Sequence, residues 1–232
     1  MNRSEGSPRA KMPERTIAVG DVHGCSKALK ALVDAIRPTG DDLIVTLGDY
    51  VNRGPDSRGV LDALADLKDR CRLVPILGNH DEMLLRAHSG LPAPATVPGG
   101  PPGDRPDRDW GRELEKLSPA NLAFLRTCVD SHEAPDHFFV HAAYDPAQPL
   151  DRQPASLLRW HSLKFGVPRR HFSGKTAVVG HSSQKNGKIL DLGHIVCIDT
   201  YCHGGGWLTA LDVVTGRTWQ ADREGRLRRP QR

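Results

Sequence analysis

Five short apolar runs in this chain end abruptly on residues that can hold metals or move protons. "IAVGDVHG" ends on Asp21 and His23, and "LIVTLGDY" on Asp49. "LVPILGNHD" delivers Asn79, His80 and Asp81, "FFVHAAYD" delivers His141, and "AVVGHS" delivers His181. The side chains collected are carboxylates, imidazoles and one amide oxygen. That donor mix suits borderline or hard transition ions such as manganese, iron or zinc. It lacks the thiolates of a structural zinc site and the all-oxygen cage of a calcium site. Any one of these residues alone reads as a turn or a satisfied loop residue. Five strand ends of the same design do not. A glycine (Gly20, Gly48, Gly78, Gly180) precedes the polar group in four of them, which lets the backbone turn sharply and a ligand come close.

The elements that must position these residues follow from hydrophobic periodicity. Thr16–Val19, Leu43–Leu47 and Leu73–Leu77 are expected strands, alternating with helices over Ser26–Ile36, Ser57–Leu67 and from Glu82 to His88. This βαβαβα start predicts a parallel sheet covered by helices, with ligands gathered outside the carboxyl ends of the strands. Helices are expected over Trp110–Leu117, Pro119–Val129 and Pro154–Phe165. Short strands follow at Phe138–Val140, Ala177–Val179, Ile195–Ile198, Leu208–Val214 and Thr218–Trp219. Hairpins are expected near Thr215-Gly216 and Lys185–Gly187. The pattern as a whole predicts an α/β fold, two sheets face to face with helices outside.

The chain of 232 residues divides into an N-terminal tail (1–15) expected to be disordered, one domain (16–221), and a basic tail (222–232). The segment 91–109 carries six prolines and reads as an inserted exposed loop. The net charge of +4 owes much to the C-terminal tail. No aromatic residue is interleaved there, so a solvated tail is expected rather than a nucleic-acid contact. Five cysteines without a CxxC pair point to reduced thiols and a cytoplasmic protein. The polar first fifteen residues lack the apolar core of a signal peptide, and no stretch is apolar enough to span a membrane. Oligomeric state is not encoded in these features.

Taken together, "GDVHG", "GDYVNRG", "GNHD", a later single histidine and "GHS" resemble the phosphoprotein phosphatase family of calcineurin-like metallophosphoesterases. The resemblance implies a central β-sandwich of mixed sheets flanked by helices, and two divalent metal ions, manganese first, with iron or zinc as alternatives. It implies that Asp21 and His23 hold one metal, that Asp49 bridges both, and that Asn79, His141 and His181 complete the other. Asp49 can bridge because a carboxylate has two oxygens, and two metals can activate a water for direct attack on phosphorus.

The resemblance also assigns Arg53 and Asn79 to the substrate phosphate, and His80 to the leaving oxygen as proton donor. The residue-level alternatives are a turn-capping Arg53 and a metal-ligating His80. A second phosphate-binding arginine is expected at Arg159, in competition with Arg152, Arg169 and Arg170. His161 and His171 read as surface or packing residues.

At Asn52 most of the family has an Asp that holds the catalytic histidine as imidazolium. Here an amide orients His80 without charge, unless Asn52 only stabilises its own turn or Asp81 supplies the missing carboxylate. "HAAYDP" and "GHIVCIDTYCHGGGWLTALDVVTG" resemble small bacterial protein phosphatases. The expected substrate is therefore a phosphoprotein, phosphorylated on Ser/Thr and in some cases Tyr, or a small phosphoester. Hydrolysis of diadenosine tetraphosphate and a catalytically silent metal-binding module are the alternatives.

Overall fold

A computed structural model describes residues 12–92 and 110–229. Most of the N-terminal tail and most of the Pro-rich segment lie outside the described residues. Ten strands form two five-stranded mixed sheets. The first sheet has the order β10 (Thr218–Ala221), β9 (Leu208–Asp212), β1 (Thr16–Val19), β2 (Leu43–Thr46), β3 (Arg72–Pro75). The second has the order β4 (Ser131–Glu133), β5 (His137–Val140), β6 (Thr176–Val179), β8 (Ile195–Cys197), β7 (Leu190–Asp191). Within each sheet three strands run parallel: β1, β2 and β3 in one, β5, β6 and β8 in the other. Parallel neighbours bring their carboxyl ends to one rim, so each sheet contributes three adjacent strand ends.

The apolar runs are continuous rather than alternating because both faces of each sheet are buried. Ala18, Val45, Phe139 and Val178 fill the space between the sheets. Their chain neighbours Ile17, Val19 and Ile44 face the helices α1 (Ser26–Ile36) and α2 (Ser57–Leu67). Phe138, Val140, Ala177 and Val179 form a third apolar layer outside the second sheet, with Leu158 of α6 (Ala155–Trp160). The β-sandwich between helical layers is the expected fold.

Several boundaries differ from expectation. Helix α3 spans Asn79–His88 and so starts three residues earlier than the periodicity suggests. Gly78 is its N-cap, and the carboxylate of Asp81 at the third helical position accepts the Gly78 amide at 3.1 Å. Asn79 and His80 are thereby fixed in a first helical turn. The helices α4 (Trp110–Leu114) and α5 (Pro119–Leu125) are shorter than predicted. α6 ends at Trp160, and a separate 3₁₀ turn follows at Leu163–Phe165. The turn at Lys185–Gly187 forms but is not a hairpin; the antiparallel pair is β7–β8, and β4 pairs with β5. The hairpin at Thr215-Gly216 joins β9 to β10 as expected.

The described parts of both tails make defined contacts. Arg15 donates from Nε and Nη2 to the two oxygens of buried Asp42, at 2.8 and 2.6 Å. Asp222–Arg226 forms a turn, with Gly225 N donating to Asp222 O at 2.9 Å. Leu227 then bridges to Ala221, and Arg228 donates to Gln220 Oε1.

Buried Tyr50 ties β2 to β3 just beneath the rim. Its hydroxyl donates to the Ile76 carbonyl at 2.7 Å. Tyr50→Phe should lower stability by about 1–3 kcal/mol by stranding a buried carbonyl, seen as a lower urea midpoint at unchanged slope. The Arg15 hydrogen bond holds the Asp42 carboxyl below its ordinary range, with the Thr39 amide and hydroxyl adding to it. A depressed carboxyl stabilises above its unfolded pKa, about 3.9, and that gain is lost as pH falls through the lower folded value. The stability difference between wild type and Asp42→Asn should therefore be full at pH 7 and shrink below about pH 4.

Candidate metal centre and active site

Residues Gly20–His23 leave the end of β1, Asp49 the end of β2, and Asn79 and His80 open α3 after β3. From the other sheet, His141 follows β5 and His181 follows β6. The five strand ends converge, and residues 160 positions apart touch: the His181 amide donates to both oxygens of Asp21, at 3.0 and 3.2 Å.

Backbone carbonyls fix the histidines from behind. His23 Nδ1–H donates to Val51 O (3.2 Å), His141 Nδ1–H to Leu47 O (2.6 Å), and His181 Nε2–H to Trp160 O (3.0 Å). A carbonyl only accepts, so each ring carries its proton there and turns a lone pair inward. His23 Nε2 lies 3.3 Å from Asp49 Oδ2, and His141 Nε2 lies 3.5 Å from Asp49 Oδ1. Asn79 Oδ1 lies 3.1 Å from His141 Nε2 and 3.0 Å from His181 Nδ1. Acceptors thus confront acceptors around Asp49. Asp49 also takes the His80 amide at 3.0 Å, at the positive end of α3. A Cβ on Gly78 would come 2.2 Å from Asp49 Oδ1, so only glycine fits beneath that carboxylate.

This donor set fits divalent cations. Two groups of ligating atoms lie within 4.8 Å of one another, His23–Asp49–His80 and Asp49–His141–His181, and they share Asp49. The first contains His80 where the resemblance implies Asp21. Burial, together with the nearby carboxylates of Asp199 and Asp49, raises the Asp21 carboxyl well above its usual range. Burial lowers His23, helped by His80, His203 and Arg53. Buried acids that oppose one another's ionisation, beside neutral imidazoles, call for added positive charge.

The backbone is strained at the same place. Among the described residues, seven non-glycine residues have positive φ, and five of them are His23, Asp49, Asn52, Arg53 and His181. Such conformations cost about 1–3 kcal/mol each and mark functional sites.

Arg53 lies at the edge of the cluster. Its Nη2 is 3.1 Å from His80 Nε2, and its Nη1 is 3.5 Å from His203 Nε2. Asn52 Oδ1 accepts the Arg53 amide at 2.5 Å, and its own amide donates to Ser57 Oγ. Asn is among the few side chains at ease in a left-handed backbone, so the amide at position 52 holds the turn that aims Arg53. Asp81, the alternative carboxylate, is committed to backbone amides. It is buried, and it accepts the amides of Tyr50, Val51 and Gly78.

Arg159 is not brought to the cluster. Its guanidinium pairs with Asp130 and with Glu82 (3.3 Å), and Glu82 also accepts Trp160 Nε1–H at 2.9 Å. Arg170 is likewise drawn to the Gly174 carbonyl. His171 packs between Phe138 and Tyr144, and His161 reaches the Gly166 carbonyl, the packing and surface roles expected of them.

The sequence reading passed over two residues. Asp199 is buried, accepts Ser183 Oγ–H at 2.5 Å and acts on Asp21. His203 sets its ring 4.6 Å from His23. The signal for Asp199 was present: "IVCID" is a sixth apolar run ending on a carboxylate.

A two-sheet sandwich with this clustered donor set defines a metal-dependent phosphoesterase. Comparison with known families agrees. The profile of the calcineurin-like phosphoesterase family matches residues 14–215, and the chain belongs to that family, whose members use divalent metals. It is 28% identical to the symmetrical bis(5'-nucleosyl)-tetraphosphatase of Janthinobacterium sp. (strain Marseille), over 88% of this chain and 95% of the relative. It is 34% identical to the enzyme of that name from Thioalkalivibrio sulfidiphilus, over 64% and 63%. Among solved structures, a protein provisionally named a diadenosine tetraphosphatase superposes with a TM-score of 0.68 at 25% identity, covering 90% of this chain and 95% of that one. A cold-active protein-tyrosine phosphatase from Shewanella shares the fold, with a TM-score of 0.63 at 18% identity over 93% and 80%. Among the described residues no helix is long and apolar enough to cross a membrane.

Asp49→Asn removes the shared carboxylate. Bound divalent metal should fall by more than half and turnover of a chromogenic phosphomonoester by at least about a hundredfold, measured on the same preparations. Near-normal metal with substantial activity would rule out a shared Asp49.

Proposed function

We propose that the chain hydrolyses dinucleoside polyphosphates, with diadenosine tetraphosphate as the representative substrate. What carries this reading is the likeness to a symmetrical bis(5'-nucleosyl)-tetraphosphatase along 88% of the chain and 95% of the relative. The phosphoprotein substrate expected from the sequence gives way to this alternative, since the protein-phosphatase likeness rests on fold at 18% identity. A silent module is set aside by membership of an enzyme family.

In this reading Asp21, His23, Asp49, Asn79, His141 and His181 hold two divalent ions, manganese being the first choice. Bound there, the ions polarise the phosphate and lower the pKa of water. The remaining steps belong to the chain. Arg53 presents a planar fork to two phosphate oxygens. The left-handed turn behind it sets the direction in which the side chain leaves the backbone, toward His80 and His203. His80 Nε2 accepts from that guanidinium at 3.1 Å, and once a phosphate takes over that N–H the ring is close enough to pass a proton to the departing oxygen. Asn79 supplies a neutral oxygen, which leaves the site positive enough to take an anion.

The test is product analysis with manganese-loaded protein. Diadenosine tetraphosphate should be converted to ADP alone, faster by at least tenfold in kcat/KM than a phosphoserine peptide. Preferential turnover of the peptide would overturn the proposal, and formation of ATP and AMP in equal amounts would overturn the symmetric cut.

A further inference from the structure

Beside the metal cluster lies a cleft of about 530 Å³, of whose lining the proposed chemistry uses Arg53 alone. Arg53 and His203 form the wall it shares with the active site, and the far wall carries Lys27, Arg223 and Glu224. Its volume is that of a small-molecule site, far more than one phosphate group needs.

The charges in this cleft are arranged for an anion. Asp56 is already engaged as the N-cap of α2, accepting the Gly59 amide (2.9 Å) and the Ser26 hydroxyl (2.6 Å). Glu224 is matched by Arg223 at 2.8 Å and by Arg226 at 3.5 Å. Counted whole, the lining sets Lys27, Arg53 and Arg223 against Asp56 and Glu224, one base more than its acids. The floor is the amino end of α1, whose first turn holds no acidic residue and whose N-cap Cys25 makes no side-chain capping hydrogen bond, its Sγ turning to the His23 carbonyl. That end of a helix favours phosphate.

Arg223 belongs to a seated turn, not a loose tail. Gly225 has a φ of +87°, and a Cβ there would come 3.0 Å from the Lys27 carbonyl. The missing side chain lets the Asp222–Arg226 turn lie directly on the first turn of α1. Arg53 stands between this cleft and the reaction site, with one guanidinium nitrogen toward His80 and the other toward His203. A phosphate gripped by Arg53 that carries a further phosphate has a basic channel to continue into.

We infer that this cleft binds the nucleoside diphosphate portion of the substrate, with Arg223 and Lys27 holding the phosphates beyond the one at Arg53. The inference rests on the dinucleoside polyphosphate reading, but its test measures binding and not turnover. ADP and inorganic phosphate are titrated into manganese-loaded wild type, Arg223→Ala and the double variant Lys27→Ala/Arg223→Ala. Wild type should bind ADP more tightly than phosphate. The double variant should lose about tenfold in ADP affinity and stay within about twofold for phosphate, while Arg223→Lys keeps most of the ADP affinity. Gly225→Val, which lifts the turn from α1, should show the same selective loss. Equal affinities of wild type for ADP and phosphate, unchanged ADP binding in the double variant, or parallel loss of both ligands would overturn the assignment. Wild type that binds ADP as expected yet leaves diadenosine tetraphosphate intact would refute the hydrolase reading and leave the cleft assignment standing.

Discussion

The structure turns on one unresolved opposition: the Asp49 carboxylate, buried, faces imidazole nitrogens that have no proton to offer it. Val51 O and Leu47 O take the ring protons of His23 and His141, so the nitrogens nearest Asp49 are acceptors like the carboxylate itself. Left in low dielectric, such a set is unfavourable for every member. A cation between them converts it into a favourable one. The tautomer-fixing carbonyls are therefore as necessary to the site as the side chains that point inward.

Maintaining that opposition takes rigid support. His23 and Asp49 have left-handed backbones, and Asp49 sits on a glycine with no room for a methyl group. Isolated loops would relax out of these conformations. Here each loop is short and leaves a strand buried on both faces, and the first turn of α3 donates the His80 amide to Asp49. Apolar burial away from the rim supplies the energy that keeps the rim strained.

Much of this was legible in the sequence because the same local grammar recurs: an apolar run, a glycine, then a ligand type. Strand ends and metal-ligating side chains follow from it directly. Contacts set by side-chain partners distant in the chain did not. Arg159 looked like a phosphate binder by position, but Asp130 and Glu82 come from other elements and claim its guanidinium. Asn52 looked like a modified catalytic residue, and its left-handed backbone gives a local reason for an amide there. The start of α3 was misplaced because Asn79 and His80 are poor helix formers, and the cap at Gly78 with Asp81 overrides that preference. β4 and β7, three and two residues long, carry too little pattern to read. The basic residues after Asp222 resembled a solvated tail because their seat on α1 depends on a single glycine.

The bond from His141 Nδ1 to the Leu47 carbonyl joins a loop of one sheet to the end of a strand in the other. With Asp49 two residues beyond Leu47 and His141 itself facing it, the metal centre straddles the seam of the sandwich. Neither sheet alone carries a complete binding group around Asp49, His141 and His181. That group is thus a product of docking and needs both sheets in place, whereas His23, Asp49 and His80 all leave strands of the first sheet. A cation held between Asp49, His141 and His181 would therefore register whether the two sheets are docked, which one held by His23, Asp49 and His80 would not.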